Sequence, residues 1–294
     1  MAETLAHCPV CSGAVTLWRD KAAFGTSWRI DRCTACGFAF VNPRPRLDWL
    51  MDFYEGTATI EHGPQTLAEV LTSEAESPNS TLDAEAMLKT IARLAGAGGG
   101  KRLLDVGSGF GFFTAAAQRR GFAVDAIELG TRQRAISEEM TGVVPAAQPY
   151  ETLAPKAPGF DVILMSQILE HAHDIGRWME KSHELLAPNG LLAIALPNFD
   201  SLARRLLQER EPFICPPEHL NFFSAASLTR LVEAHGFRVE ATEWVTRVPR
   251  ASLKRRLPGA LVPLADLAGQ AATGLIDAAR LGSVLRLYAR RQAR

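Results

Sequence analysis

Apolar and polar positions change period several times along the chain, and the changes mark elements. From Lys101, "KRLLDVGS" is an apolar run closed by a glycine, the pattern of a buried strand. "FFTAAAQRR" follows with helical spacing and is ended by Gly121. The alternation then repeats. Strand "FAVDAIEL" precedes helix "RQRAISEEM", and strand "GFDVILMS" precedes helix "IGRWMEKSHELLA". The turn Pro188-Asn189-Gly190 closes that helix, and strand "LLAIALP" comes next. Short apolar runs between helical stretches predict a doubly wound α/β domain with a largely parallel sheet. In such sheets ligands bind beyond the C-terminal ends of the strands.

The first hundred residues lack that rhythm. Strand-like stretches centre on Leu17-Trp18 and Trp28-Arg29-Ile30, with a turn expected at Phe24-Gly25. They lie between two knuckles, Cys8-Pro-Val-Cys11 and Cys33-Thr-Ala-Cys36. Each knuckle puts two thiolates on one tight turn, and a hairpin joining the turns closes a four-thiolate site. This is the spacing of a zinc ribbon. A module of about 40 residues has too little core to fold alone, so a structural Zn2+ is expected to supply much of its stability. Two disulfides or four reduced cysteines are the alternatives, and disulfides suit a cytoplasmic chain poorly. Pro43 and Pro45 then stiffen a connector that leads to an amphipathic helix bearing Leu47, Leu50, Met51 and Tyr54. Residues 56–80 are polar and read as a mobile linker or lid. A helix is expected from about Thr81 to Ala95. The chain thus divides into a ribbon at 1–42, a connector and helical lid at 43–100, and the α/β domain at 101–294.

Composition changes this picture little, and charge changes it more. Apolar content of 47% and charged content of 22% are ordinary for a globular protein. The start has no signal-like pattern, and no uncharged apolar run reaches the ~18 residues of a spanning helix, so a cytoplasmic protein is expected. Net charge is zero, yet residues 247–294 carry ten Lys/Arg against two Asp/Glu, a net of +8. A basic tail on an acidic body suggests an anionic partner or a solvated surface. Within it, 247–282 combines "PRASLKRRLP" with an Ala/Leu-rich helix, a pattern that suits peripheral membrane contact or packing on the domain.

The densest chemistry is in "LLDVGSGFGFF". Gly107, Gly109 and Gly111 fall at a strand-to-helix turn, where glycine lets a ligand approach the backbone. Glu128 ends the next strand, where a carboxylate can accept both ribose hydroxyls of a nucleoside. With these residues in place, the chain resembles the class I S-adenosylmethionine-dependent methyltransferases. The resemblance covers roughly residues 81–246 and the last strand. It implies a Rossmann-like seven-stranded sheet whose last strand, 283–291, runs antiparallel beside a strand at about Arg238 to Val245. It also implies that Asp105, Gly107, Ser108, Gly109, Gly111 and Glu128 hold S-adenosylmethionine, with Ser166 and Gln167 flanking it. Gln148 stands where many members place an Asp facing the adenine amine.

Oxygen and carbon acceptors need a proton removed, a task for a base near neutral pKa. Two histidines compete for it. His219 lies in "PPEHLNFFS", after "LLAIALP", which matches the fifth strand segment of the resembled family, with Glu218 beside it. That segment resembles a loop in zinc-knuckle sugar C-methyltransferases, where a Glu–His pair serves acid–base chemistry. Pro216 replaces a tyrosine of theirs, and their additional C-terminal domain is absent. His171 lies in "SQILEH", similar to "SEVIEH" in quinone-ring O-methyltransferases, where acids and a His hold a metal. Gln167 replaces the first acid, which argues against a metal here. The expected function is methyl transfer to a small-molecule or glycan acceptor. The alternative is an RNA or protein methyltransferase that grips its substrate with ribbon and tail. The ribbon's basic residues, Arg19, Lys21, Arg29 and Arg32, are too sparse to favour RNA.

Overall fold

The computed structural model describes residues 3–56, 63–96, 98–246 and 262–293. Val15–Ala23 (β1) and Thr26–Cys33 (β2) form an antiparallel hairpin. Its turn residues Phe24 and Gly25 both have positive φ, as a two-residue hairpin turn requires. Ala39–Val41 (β3) pairs with the other edge of β2. Three helices follow: Leu47–Gly56 (α1), Leu67–Glu76 (α2) and Asn79–Ala95 (α3). The second lies inside the stretch read as linker. Leu67, Val70 and Leu71 recur at helical spacing, Val70 is buried, and Thr66 Oγ1 accepts from Glu69 N–H as N-cap.

The α/β domain alternates as its pattern requires. Arg102–Val106 (β4) and Phe112–Arg119 (α4) are followed by Ala123–Ile127 (β5) and Thr131–Thr141 (α5). Phe160–Ser166 (β6), Ile175–Leu185 (α6) and Leu186–Pro197 (β7) come next. The rest is Leu202–Leu207 (α7), Asn221–Phe222 (β8), Ala225–Ala234 (α8), Phe237–Val245 (β9), Val262–Ala278 (α9) and Val284–Arg291 (β10). The main sheet runs β5-β4-β6-β7-β10-β9, with β10 antiparallel to both neighbours as expected. Six strands are formed among the described residues. The seventh position, outside β5, is a single parallel bridge between Ile127 and Ala146. Pro145 and Pro149 flank that bridge and have no N–H to extend it. The segment 247–261 of the basic insert lies outside the described residues. Among the described residues, no helix is long and apolar enough to cross a membrane.

Alternation along the strands splits the core. Leu103, Val162, Leu164 and Ala193 face α3 and α4. Leu104, Val106, Ile163 and Met165 face the other side, in one cluster with α6, α8 and the ribbon's Phe38 and Phe40. The ribbon therefore shares the main core. Strand β3 is buried on both faces, since Ala39 and Val41 belong to a cluster with Leu50, Phe199, Leu220 and Phe222. Its second edge is taken by β8, so the small sheet runs β1-β2-β3-β8. Phe38 lies 5.6 Å from Phe40 and 4.8 Å from Phe223, ring centre to ring centre. Phe38→Ala should empty that junction and lower the unfolding free energy by about 3–5 kcal/mol in chemical denaturation. A loss within 1 kcal/mol, roughly the level of a surface change, would show that the ribbon does not share the core.

Candidate active site at the C-terminal edge of the sheet

The turn from β4 to α4 forms a bare cradle. Gly107, Gly109 and Gly111 all have left-handed φ, at 69°, 53° and 92°. A Cβ at Gly107 would strike the Ile168 side chain at 2.8 Å, and one at Gly111 would strike Ser137 Oγ at 2.7 Å. A Cβ at Gly109 would meet nothing within 4 Å, so this glycine faces open space. Glu128, just past β5, accepts from Gly109 N–H at 2.9 Å and from Gly130 N–H at 2.8 Å. Two bonds leave a carboxylate with lone pairs for a ligand's hydroxyls. Asp105 is buried below the turn and accepts from Thr114 Oγ1 at 2.7 Å. Burial, with the Glu128 charge adding, pushes its carboxyl up to about 6.

Polar atoms without partners surround the same turn. Ser108 Oγ and Gln167 Nε2 are buried and have no hydrogen-bond partner among the described residues. Gln167 takes a left-handed φ of 55° just past β6, and its N–H donates to the Ala195 carbonyl. Such orphaned groups are costly unless a ligand meets them. With the open face of Gly109 and the spare capacity of Glu128, they fit a ligand with amino-acid and ribose groups. Ser166 ends β6 beside Gln167, and Gln148 stands half-buried two residues past the Ile127–Ala146 bridge. Gln133 on α5 was not legible as a site residue. Its unpartnered Oε1 lies where a Cβ on Gly130 would fall, beside Glu128.

The two histidines that compete in the sequence stand together in the fold. Leu169–His171 forms one 3-10 turn that follows Ile168, the residue packed on Gly107. Loop 215–223 folds over this turn, and Leu220 N–H donates to the Glu170 carbonyl at 2.9 Å. The imidazole rings of His171 and His219 meet edge to face at 4.8 Å. His171 Nδ1 lies 2.7 Å from the Glu218 carbonyl, and His219 Nδ1 lies 2.8 Å from the Phe213 carbonyl. A carbonyl only accepts, so each neutral ring carries its proton on Nδ1 and leaves Nε2 as the basic nitrogen. Burial pushes His219 down to about 4. Burial and the neighbouring His219 push His171 down to about 3.

Glu218 meets this pair through its main-chain carbonyl. The carboxylate that joins it is Glu170, whose oxygen lies with one ring nitrogen of each histidine inside a 4.8 Å circle. Glu170 is 1% exposed, and neither oxygen has a hydrogen-bond partner among the described residues. Burial pushes its carboxyl up to about 8, so it is largely neutral at neutral pH. The adjacent "EH" in "LEH" hints at Glu170, but its burial comes from a loop some fifty residues later. Tyr54, a possible lid residue over the cradle, has its side chain outside the described residues.

A second cluster lies in the ribbon. Cys8 Sγ is 3.6 Å from Cys36 Sγ, and Cys11 Sγ is 3.5 Å from Cys33 Sγ. A disulfide needs about 2.05 Å, so these are free thiols. Four sulfurs about 2.3 Å from one tetrahedral ion would lie about 3.8 Å apart, close to what is seen. Backbone N–H groups of Val10, Ala35 and Cys36 point at Cys8 or Cys33 sulfur, as suits thiolate ligands. The chemistry of this donor set fits zinc. Glu170, His171 and His219 are a second set of metal-capable atoms.

Residues 80–242 match a family model described as a methyltransferase domain. Over 105 residues the chain is 36% identical to the ubiquinone biosynthesis O-methyltransferase of Caulobacter sp. (strain K31), covering 34% of this chain and 42% of that one. It is 34% identical over 107 residues to the same-named enzyme of Psychrobacter arcticus, with the same shares covered. The match thus spans less than half the length of these relatives. Among solved structures, a SAM-dependent methyltransferase from Archaeoglobus fulgidus aligns with TM-score 0.53 at 17% identity, over 76% of this chain and 99% of that one. The 1,6-didemethyltoxoflavin-N1-methyltransferase of Burkholderia thailandensis aligns with TM-score 0.52 at 18% identity, over 94% and 100%. These two structures share the fold. Replacing Glu128 with Ala should weaken S-adenosylhomocysteine binding about 10–100-fold in calorimetry, as expected for lost hydrogen bonds to a charged group. Unchanged affinity would remove Glu128 from the site.

Proposed function

The chain belongs to the methyltransferase-domain family, and from that premise we propose that it methylates a hydroxyl oxygen of a small organic acceptor, with His219 taking the proton. The carrying observation is the pair of histidines, each locked by a carbonyl into the tautomer with a basic Nε2: His171 on the turn that follows Ile168, the residue packed on Gly107, and His219 on the loop folded over that turn. When bound, S-adenosylmethionine supplies an electrophilic methyl group and a neutral leaving group. On this reading Glu128 holds the ribose hydroxyls and the bare backbone at Gly109 admits the amino-acid part, supported by the carboxylate's spare lone pairs and the open space at Gly109. Ser108 and Gln167 offer their unpaired polar atoms to the same ligand. His219 Nε2 accepts the hydroxyl proton as the new carbon–oxygen bond forms. Prolines 216 and 217 and Phe213 keep that loop stiff and dry, so the base stays neutral. The relatives named for ubiquinone biosynthesis support an O-methyl product, while the loop's likeness to sugar C-methyltransferases keeps glycans among the acceptors to screen.

A small acceptor also fits what has become of the ribbon. Arg19 pairs with Glu209, Arg29 pairs with Asp31, and Lys21 donates to the Glu209 carbonyl. Arg32 lies over the Phe199 ring. These four basic groups of the ribbon thus have partners within the chain.

His219→Ala should lower turnover by about 10²–10⁴-fold, the usual range for general-base loss, with S-adenosylhomocysteine affinity intact. The assay is transfer of labelled methyl to a panel of phenolic, catecholic and sugar acceptors. Because burial lowers the His219 pKa to about 4, the base is unprotonated at neutral pH, and kcat/KM should stay level from about pH 6 to 8 and fall only below about pH 5. An acid limb centred near the ordinary 6.5 would mean a different, solvated base.

We also propose that Cys8, Cys11, Cys33 and Cys36 hold a structural zinc ion. Elemental analysis should find about one zinc per chain, and Cys33→Ser should lower both the zinc content and the melting temperature. Full stability without metal would refute this assignment.

A further inference from the structure

Asn221 joins three parts of the molecule that are far apart in sequence. Its Oδ1 accepts from Arg44 Nη2 at 2.6 Å, on the ribbon side. Its Nδ2 donates to the Ala172 carbonyl at 2.7 Å and lies 3.3 Å from the Glu170 carbonyl, closing the turn that carries His171. Its backbone, paired with Phe40, belongs to the loop that carries His219. Val41 N–H donates to the Leu220 carbonyl and Leu220 N–H to the Glu170 carbonyl, so the residue before Asn221 spans the same gap. Asn221 is 2% exposed, and so is Arg44.

Arg44 is an expensive residue to bury for packing alone. Burial lowers its pKa to about 10 against the pull of Asp174 and Glu3. Its Nη1 has no partner among the described residues, while Nη2 is committed to Asn221. An apolar side chain stacked on Phe40 would fill the space without that desolvation cost. The Arg44 side chain donates its hydrogen bond to Asn221, which it pins between the two histidine-bearing segments.

We infer that Arg44 and Asn221 are positioning residues through which the ribbon sets the distance and tilt of His171 and His219. Neither touches the cofactor cradle, so their action is confined to the acceptor half of the site. The inference rests on the proposed role of His219, but it concerns where the ring is held, and position can be read without turnover.

The test uses the full chain with ¹⁵N-labelled histidine, saturated with S-adenosylhomocysteine, and records imidazole spectra of Arg44→Met and Asn221→Leu. The expected result is that the His171 and His219 ring signals move or broaden. The rings of His183 and His235 should hold their parent shifts, and S-adenosylhomocysteine affinity should stay within about threefold, near the 0.6 kcal/mol of thermal energy. Arg44→Lys, which still brings a donor to Asn221 Oδ1, should restore the parent signals. If either apolar variant fails to fold, Asn221→Ser, which loses the Arg44 acceptor geometry with little change in packing, takes its place. Parent ring signals in the folded variants would overturn the inference. So would a uniform shift of every histidine, which marks a merely structural role. Full turnover by His219→Ala with displaced rings in Arg44→Met would instead overturn the base assignment and leave the positioning intact.

Discussion

The cluster that brings His171 and His219 together depends on one short strand pairing, Ala39 with Phe222 and Phe40 with Asn221. Two residues of ladder cannot hold a sheet edge by themselves. The pairing persists because β3 is buried on both faces. Phe38 and Phe40 pack into the main core, and Ala39 and Val41 pack into the cluster around Leu220 and Phe222. The ribbon is therefore fixed to the α/β domain by apolar packing, and the hydrogen bonds of β8 follow from it. The Arg44–Asn221 and Asn221–Ala172 bonds, which tie the segments of His219 and His171 together, are built on that base.

The electrostatic state of the site follows from the same packing. A loop pressed between the ribbon and the Leu169–His171 turn excludes water. Exclusion lowers both histidines and raises Glu170, so all three groups tend toward neutrality. Both imidazoles are therefore unprotonated at neutral pH, each with its basic nitrogen at Nε2. The polar cradle at Gly109 and Glu128 lies on the other side of Ile168, where bare backbone and a solvated carboxylate suit a charged ligand. One hydrophobic residue thus separates two environments of opposite preference.

Legibility in the sequence tracked the distance over which each feature is determined. The glycine turn, Glu128 and the cysteine knuckles are set by spacing within a few residues or one βα unit, and each was readable. The strand and helix order of the α/β units was readable for the same reason, whereas the antiparallel β10 was implied by the family resemblance. The seventh strand was not readable, because Pro145 and Pro149 thin an otherwise apolar stretch to a single bridge. Nor was α2, where polar composition hid the spacing of Leu67, Val70 and Leu71. The union of His171 with His219 was beyond reach, since it depends on β8, a two-residue strand with no periodicity to detect. The fold also sets the Glu170 carboxyl beside both histidines, a neighbour of His219 that the adjacency of Glu218 in sequence did not point to.

A metal-held hairpin is a suitable mount for such a strand. Packing in a module of about 40 residues leaves too little margin to fix a loop within fractions of an ångström. Four cysteine ligands would fix β2 and the turn before β3 by bond geometry, independent of how much apolar area the module buries. That rigidity would reach β3 through three residue pairs with β2, pass to β8 through two, and end two residues from His219. On this view the ribbon's sequence is free to vary wherever it faces solvent. It is constrained at the knuckles, at Phe38 and Phe40, and at the few positions that hand its geometry to the site.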